Sequence, residues 1–423
     1  YPRGSRLMSL KPPPLRDDCF ALPAGVDWTP VDEALGALQT RLRSVVARET
    51  VELGAALGRV LASDIKALRS NPPLPNSAVD GYGFAFASLT EGDQTLPLIK
   101  GRAAAGLRFE GMVPSGSAIR ILTGAALPDG VDTVILEEDV NASEDAIAFR
   151  AGVKANANTR KAGEDVVAGD ICLQKGRRLR AADLALAAAV GHGVLPVFQR
   201  LRVGVLSTGD EIVEPGQTAQ DGQIFDANRV MLLSQLEQMG FTPVDLGLVR
   251  DDRAALRARF DSAAVDVIIT SGGASAGDED HVSALLRDTG SLNEWRIAIK
   301  PGRPLALGVW GGVPVFGLPG NPVAALVCLL IFARPALGLL AGSGWHEPQG
   351  FTVPAGFAKN KKAGRREYLR ARMQGGKAEV CASEGSGRIS GLSWAEGLVM
   401  LPDEAVEISE GDAVTFLPYE AFL

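Results

Sequence analysis

From residue 202 onward the chain alternates short apolar runs with helix-prone stretches, and that alternation leaves it few ways to fold. Apolar runs at 202–206, 242–246 and 265–270 predict strands, and residues 228–239, ended by Gly240, and 253–263 predict the helices between them. Strands separated by helices must cross over to lie side by side, so the expectation is a doubly wound, mainly parallel sheet covered by helices. Gly311-Gly312 suits a tight hairpin in which 305–309 runs back and 313–316 runs forward again. The apolar stretch 323–333, ended by Arg334, is shorter than the roughly 20 residues of a membrane span and predicts a buried helix.

The 423 residues exceed what one hydrophobic core organises. After a Pro-rich entry, 31–46 and 56–67 carry helix-compatible patterns, and Asn71-Pro72-Pro73-Leu74-Pro75 stops any helix. Between 76 and 160 short β-prone runs (118–122, 133–136) are separated by Gly, Pro and Asp; helical text returns at 181–190, closed by Gly191. Beyond Gly344 the text is again Gly-rich, with candidate strands at 379–382, 398–401 and 413–417. The expected fold class is thus multidomain α/β. It comprises a small discontinuous α/β linker domain (25–70 plus 162–198), a β-rich insertion domain (71–161), an α/β domain (199–344) and a C-terminal β-barrel (345–423).

Fifty acidic against 43 basic residues give a formal charge of -7, which offers no diffuse positive surface for a nucleic-acid backbone. The four cysteines are scattered without a C-x-x-C pair, and only three histidines accompany them, so a hard, oxygen-bound metal is the expected kind. The opening YPRGSRLM contains no apolar signal stretch; no membrane association and a cytoplasmic location are expected.

In an open α/β sheet ligands gather at the carboxyl ends of the strands. Four loops are expected there: 207–211 (STGDE), 271–278 (SGGASAGD), 300–304 (KPGRP) and 317–322 (GLPGNP). Glycines in the second loop let main-chain amides approach an anion, with Ser271 and Ser275 adding hydroxyls. Lys300 and Arg303 flank a rigid Pro301-Gly302 turn, and Pro322 suits the first turn of a helix. Any one of these motifs reads equally well as a plain turn or cap. Asp210, Glu211, Asp251, Asp278, Glu279 and Asp280 crowd the same loops. Acids beside a phosphate loop repel the ligand by about 4 kcal/mol per charge pair at 4 Å and an effective dielectric of 20, unless a divalent ion such as Mg2+ lies between, so a metal-bridged phosphate site is expected.

The β-rich stretch carries NSAVDGYG (76–83) and LTGAALP (122–128), and AGEDV (162–166) follows. With STGDE, TSGGASAGDED, KPGRP and GLPGNPVAA, in this order, these strings resemble the MoeA family of molybdopterin molybdenumtransferases, to which the E domain of gephyrin is related; the likeness runs from about residue 25 to the C-terminus. The resemblance implies an elongated, four-domain homodimer whose MogA-like α/β domain binds the pterin phosphate while the partner's β-rich arm closes the cleft. It implies that molybdate is inserted into adenylylated molybdopterin, with metal-dependent cleavage of the phosphoanhydride and release of AMP. Carried over, the functional acids fall on Asp80, Asp165, Glu211, Asp251 and Asp280, with Thr123; Asp251 and Asp280 would hold Mg2+. Substrate-binding positions fall on Ser271, Gly272, Gly273, Ser275, Arg296, Lys300, Arg303, Pro319, Asn321, Pro322, Arg365 and Ser386. Arg296 and Arg303 stand where the family frequently has lysine, and Ala274 replaces a commoner valine. A molybdopterin adenylyltransferase, expected as the substrate donor, shares the α/β domain without the flanking ones and is the alternative enzyme. A gephyrin-like scaffold, which predicts a second module and a long linker, is the alternative of another class. Apo-molybdoenzymes or their chaperones are the expected acceptors.

Overall fold

The computed structural model describes residues 28–272, 281–288, 293–302 and 304–423, and three six-stranded sheets organise them. The sheet that matters most runs in the order Thr242–Val249, Arg202–Thr208, Val267–Ser271, Val313–Leu318, Pro304–Trp310, Asn293–Arg296. Its first four strands are parallel, and Pro304–Trp310 runs antiparallel to both its neighbours, Val313–Leu318 and Asn293–Arg296. Trp310 pairs with Val313 across Gly311-Gly312, the expected hairpin. Helices Ala227–Gln238 and Pro322–Leu340 bury their apolar residues in one cluster with Val203, Val205, Val267, Ile269 and Phe316, while helices Arg253–Ser262 and His281–Asp288 bury theirs in another with Leu206, Ile268 and Val315. The first cluster also takes Val31, Ala34 and Leu38 from helix Val31–Arg41, so this N-terminal helix packs against the α/β core.

Three sequence expectations need correction. The helix expected at 31–46 ends at Arg41, after which Val45 donates its N–H to Leu340 O. Residues 56–67 are not helical: Gly58 adopts φ 72°, and Gly58 and Leu61 donate their amides to Leu179 and Arg177. Pairing with a distant segment overrides the local pattern there. The helix starting at Pro322 does not stop at Arg334 but continues to Leu340. A π-helical turn at Leu329–Ala333 precedes Pro335, whose ring and missing N–H a regular helix would not accommodate. The Arg334 guanidinium is satisfied by the carbonyls of Phe422 (3.0 Å) and His346 (2.7 Å). This helix is long and apolar enough to cross a membrane, yet 89% of its apolar window is buried inside the protein, which marks it as a core helix.

Residues on either side of the β-rich stretch pair across it, Arg48–Glu52 with Val194–Phe198 and Ile65–Lys66 with Ile171–Leu173. In the β-rich sheet the fully buried strand Gly81–Phe84 lies between Ala118–Ile121 and Thr133–Leu136. A Cβ on Gly81 would sit 1.9 Å from Ile135 O, so glycine is required there by close strand packing. The C-terminal sheet runs Ile299–Lys300, Arg366–Gln374, Gly397–Leu401, Ala413–Pro418, Phe351–Pro354, with Lys377–Val380 alongside Arg366–Gln374 and a bridge from Ala355 to Ala378. Its first strand comes from the α/β segment, so Lys300 lies opposite Glu367.

Candidate functional site

Parallel register sets Ser207, Ser271 and Leu318 level with one another at the carboxyl edge of three adjacent strands. Helix Ala227–Gln238 starts beside them. Its N-cap, Asp226, accepts hydrogen bonds from the Arg229 N–H (3.1 Å) and the Ser207 hydroxyl (3.0 Å), which fixes the helix to the strand end. Two residues further, the Asn228 amide donates to Ser271 Oγ (2.8 Å) and to the Gly320 carbonyl (2.7 Å). A single side chain thus ties two of the four expected loops together. Sequence reading missed it, taking Asn228 only as a helix start.

Beneath this turn the Arg229 guanidinium is buried and bonded to Asp226 (2.9 Å), Asp245 (2.7 Å) and Glu214. Burial works against its charge, but the hydrogen bonds to Asp226 and Asp245 outweigh it and hold its pKa above the ordinary value. Gly272 takes φ +90°, and a Cβ there would meet Thr208 O at 2.6 Å, so only glycine lets this loop leave the strand. Its N–H donates to Leu318 O at 3.2 Å. Pro319 and Gly320 lead to Asn321, the N-cap of the core helix, with Pro322 in its first turn. Ser386 arrives there from the C-terminal segment, its carbonyl accepting the Val323 N–H at 3.1 Å.

The acids are less concentrated. Asp210 Oδ1 accepts the Asp251 N–H at 3.2 Å, joining those two loops; Asp210 and Glu211 are exposed and Asp251 is half-buried. Gly273, Ser275, Asp280 and Arg303, all expected in the site, lie outside the described residues. Among the described residues no three His, Cys, Asp or Glu side chains are grouped as a metal site. The oxygen donors at this edge are nevertheless of the type that a hard divalent ion takes.

Lys300 sits in a box of charges. Its Nζ lies 2.8 Å from Glu384 Oε2 and 3.5 Å from Glu367 Oε1, while Lys359 Nζ contacts Glu384 Oε1 and lies 3.4 Å from Glu367 Oε2. Burial would raise the Glu384 pKa, but hydrogen bonds from both lysines hold its carboxyl below the usual range. Lys359, Glu367 and Glu384 were not singled out from the sequence; no motif joins them there, and only the fold brings them beside Lys300. Arg365 is half-buried and engaged, whereas the next residue, Arg366, is committed to Asp32 (2.7 and 2.9 Å) and Asp403 (2.8 Å). Arg296 is exposed at a strand end, where its carbonyl accepts the Thr29 N–H.

Asp80, Thr123 and Asp165 stand apart from this edge. Asp80 Oδ1 accepts both the Thr123 hydroxyl and the Thr123 N–H, each at 2.7 Å, and these bonds lower its pKa. Both residues are exposed. Asp165 accepts the Asn71 side-chain amide at 3.0 Å. Among the described residues the side-chain hydrogen bonds of all three stay within the β-rich part and its flanks. Two roomy clefts, about 760 and about 1030 Å3, lie elsewhere: one in the β-rich sheet, the other lined by Arg178, Met239 and Arg334 at the opposite end of helix Ala227–Gln238.

A mainly parallel α/β sheet with glycine-relieved loops and helix N-termini at its carboxyl edge defines a class of anion-binding α/β domains. Within that class, residues 204–338 match the family described as probable molybdopterin binding domain. On either side, residues 29–191 match the MoeA N-terminal region (domains I and II) and residues 352–419 the MoeA C-terminal region (domain IV). The chain is 37% identical to the molybdopterin molybdenumtransferase of Haemophilus influenzae, over 93% of its own length and 99% of the relative's. It is 35% identical to molybdopterin molybdenumtransferase 2 of Mycobacterium tuberculosis, over 86% and 93% respectively. The molybdopterin biosynthesis MoeA protein of Pyrococcus horikoshii OT3 superposes with a TM-score of 0.81 at 28% identity, covering 93% of this chain and all of that one. The chain belongs to the MoeA family of molybdopterin molybdenumtransferases and is a transferase of molybdenum cofactor biosynthesis.

Proposed function

We propose that this enzyme inserts molybdate into adenylylated molybdopterin, cleaving the phosphoanhydride and releasing AMP, in a site shared between two subunits of a homodimer. The observation that carries the reading is the sheet edge itself, where Asn228 joins the Ser271 and Gly320 loops and the first turn of the core helix donates the Val323 N–H to the Ser386 carbonyl. Ser271, Gly272, Gly273 and Ser275, with Pro319, Asn321 and Pro322, hold the pterin phosphate against two helix N-termini. Lys300, with Arg296, Arg303, Arg365 and Ser386, receives molybdate. Asp251 and Asp280 would hold Mg2+, which supplies positive charge to the phosphoanhydride when bound. Glu211 lies on the same edge.

Asp80 and Thr123 form a preorganised pair on an exposed surface, and their bonds to each other leave the second Asp80 oxygen for a ligand. Supplied by the partner subunit, with Asp165 near the root of the arm, they orient the nucleotide or the attacking water. The four-part division at 25–70 plus 162–198, 71–161, 199–344 and 345–423 belongs to this reading. So do a C-terminal barrel closed at the Ala355–Ala378 bridge, a cytoplasmic location without membrane or nucleic-acid partners, a molybdopterin adenylyltransferase as donor, and apo-molybdoenzymes or their chaperones as acceptors. The flanking MoeA regions favour it over an adenylyltransferase.

Mixed dimers test the shared site. Asp80→Ala and Ser271→Ala subunits, each inactive alone, should regain cofactor formation when unfolded together and reassembled, because one of the two sites then receives an intact arm and an intact edge. No recovery in a folded mixed dimer would refute it.

A further inference from the structure

We propose that Glu384 is a built-in competitor at the oxyanion site and that Lys359 is that site's second ammonium. The inference rests on the reading that molybdate binds beside Lys300. Counted among themselves, Lys300, Lys359, Glu367 and Glu384 balance, two ammoniums against two carboxylates, with Lys361 also acting on Glu367. A dianion gains little net attraction from such a box. One carboxylate must leave for the lysines to serve.

The two acids are not equivalent. Glu367 lies inside strand Arg366–Gln374, directly opposite Lys300, with a side chain only 10% exposed. Glu384 is in the loop after strand Lys377–Val380, with a side chain 46% exposed. Arg370 pins the main chain of that loop through the carbonyls of Ser383, Gly385 (3.3 Å) and Arg388 (2.5 Å). Glu384 can therefore swing into solvent by changing rotamers while its backbone, and Ser386 two residues on, stay in place.

The geometry also states what replaces it. Each Glu384 oxygen takes one lysine, Oε2 with Lys300 and Oε1 with Lys359, so the carboxylate bridges the ammoniums as one edge of a tetrahedral oxyanion would. Loading is thus an exchange of one bridging anion for another. The site favours a dianion over the singly charged internal ligand, and monoanions compete poorly with it.

The test is calorimetric titration of molybdate into the full-length protein without pterin. Glu384→Gln, which keeps the shape and removes the charge, should tighten binding at least about tenfold, and Lys359→Gln should weaken it by a similar factor; tenfold corresponds to about 1.4 kcal/mol. Lys300→Gln is the separate check on the underlying reading. Unchanged binding in Lys300→Gln removes molybdate from this box altogether. Binding lost in Lys300→Gln but altered less than twofold in Glu384→Gln overturns the competitor. If Glu384→Gln does not fold, Glu384→Asp, too short to bridge both lysines, should show the same tightening, and unaltered affinity there counts against the proposal equally.

Discussion

Replacing Arg229 by methionine should be the most damaging single change behind the site. Three carboxylates face this guanidinium, but their exposure differs: Glu214 and Asp245 side chains are 39% and 53% exposed, whereas Asp226 is 1%. The two exposed acids turn to water and lose about 0–1 kcal/mol each. Asp226 cannot, and a buried carboxylate stripped of its partner costs about 3–5 kcal/mol. For a unit the size of the α/β part that is a fall in melting temperature on the order of 10 °C. Thermal and urea unfolding followed by circular dichroism measure it. Adding Asp226→Asn to Arg229→Met removes the stranded charge while an amide oxygen still caps the helix, so at least half of the loss should return. A single variant destabilised by less than about 1 kcal/mol, or a double variant no better than the single, would refute the view that this buried pair anchors the helix bearing Asn228.

Other substitutions probe the edge more locally. Asn228→Ala removes two hydrogen bonds, each worth about 0.5–1.5 kcal/mol, and should raise KM for the pterin substrate while leaving the fold intact by circular dichroism. Gly272→Ala combines a left-handed φ, costing about 1–2 kcal/mol, with a clash against Thr208 O; substrate affinity should collapse, as equilibrium binding would show. Because hydrogen bonds from the lysines hold the Glu384 carboxyl below its usual 4.5, its stabilising contribution is complete above that pH and lost as pH falls through the lowered value. Glu384→Gln should therefore flatten the acid limb of the stability curve below about pH 4.5, measurable by melting temperature against pH.

What could be read from the sequence was what is local and periodic. The strand–helix alternation after residue 202 and the Gly311-Gly312 hairpin follow from side-chain pattern and turn chemistry, and the structure has both. Residues 56–67 were misread because their amides pair with residues 177–179, far along the chain. Arg334 looked like a helix stop because the carbonyls that satisfy it, at Phe422 and His346, come from outside the helix. The charge box was invisible for the same reason: Lys300 and Glu384 are 84 positions apart and meet only because strand Ile299–Lys300 joins the C-terminal sheet. Asn228 was in plain view as a helix-start residue, yet its second role depends on where Ser271 and Gly320 fall in three dimensions.

The decisive measurement supplies the purified protein with adenylylated molybdopterin, molybdate and Mg2+, and follows AMP together with the power of the product to activate an apo-molybdoenzyme. Release of AMP in step with active cofactor, and neither without molybdate, is the predicted result. Active cofactor formed with no AMP released, or intact adenylylated pterin at the end of the reaction, would contradict the account.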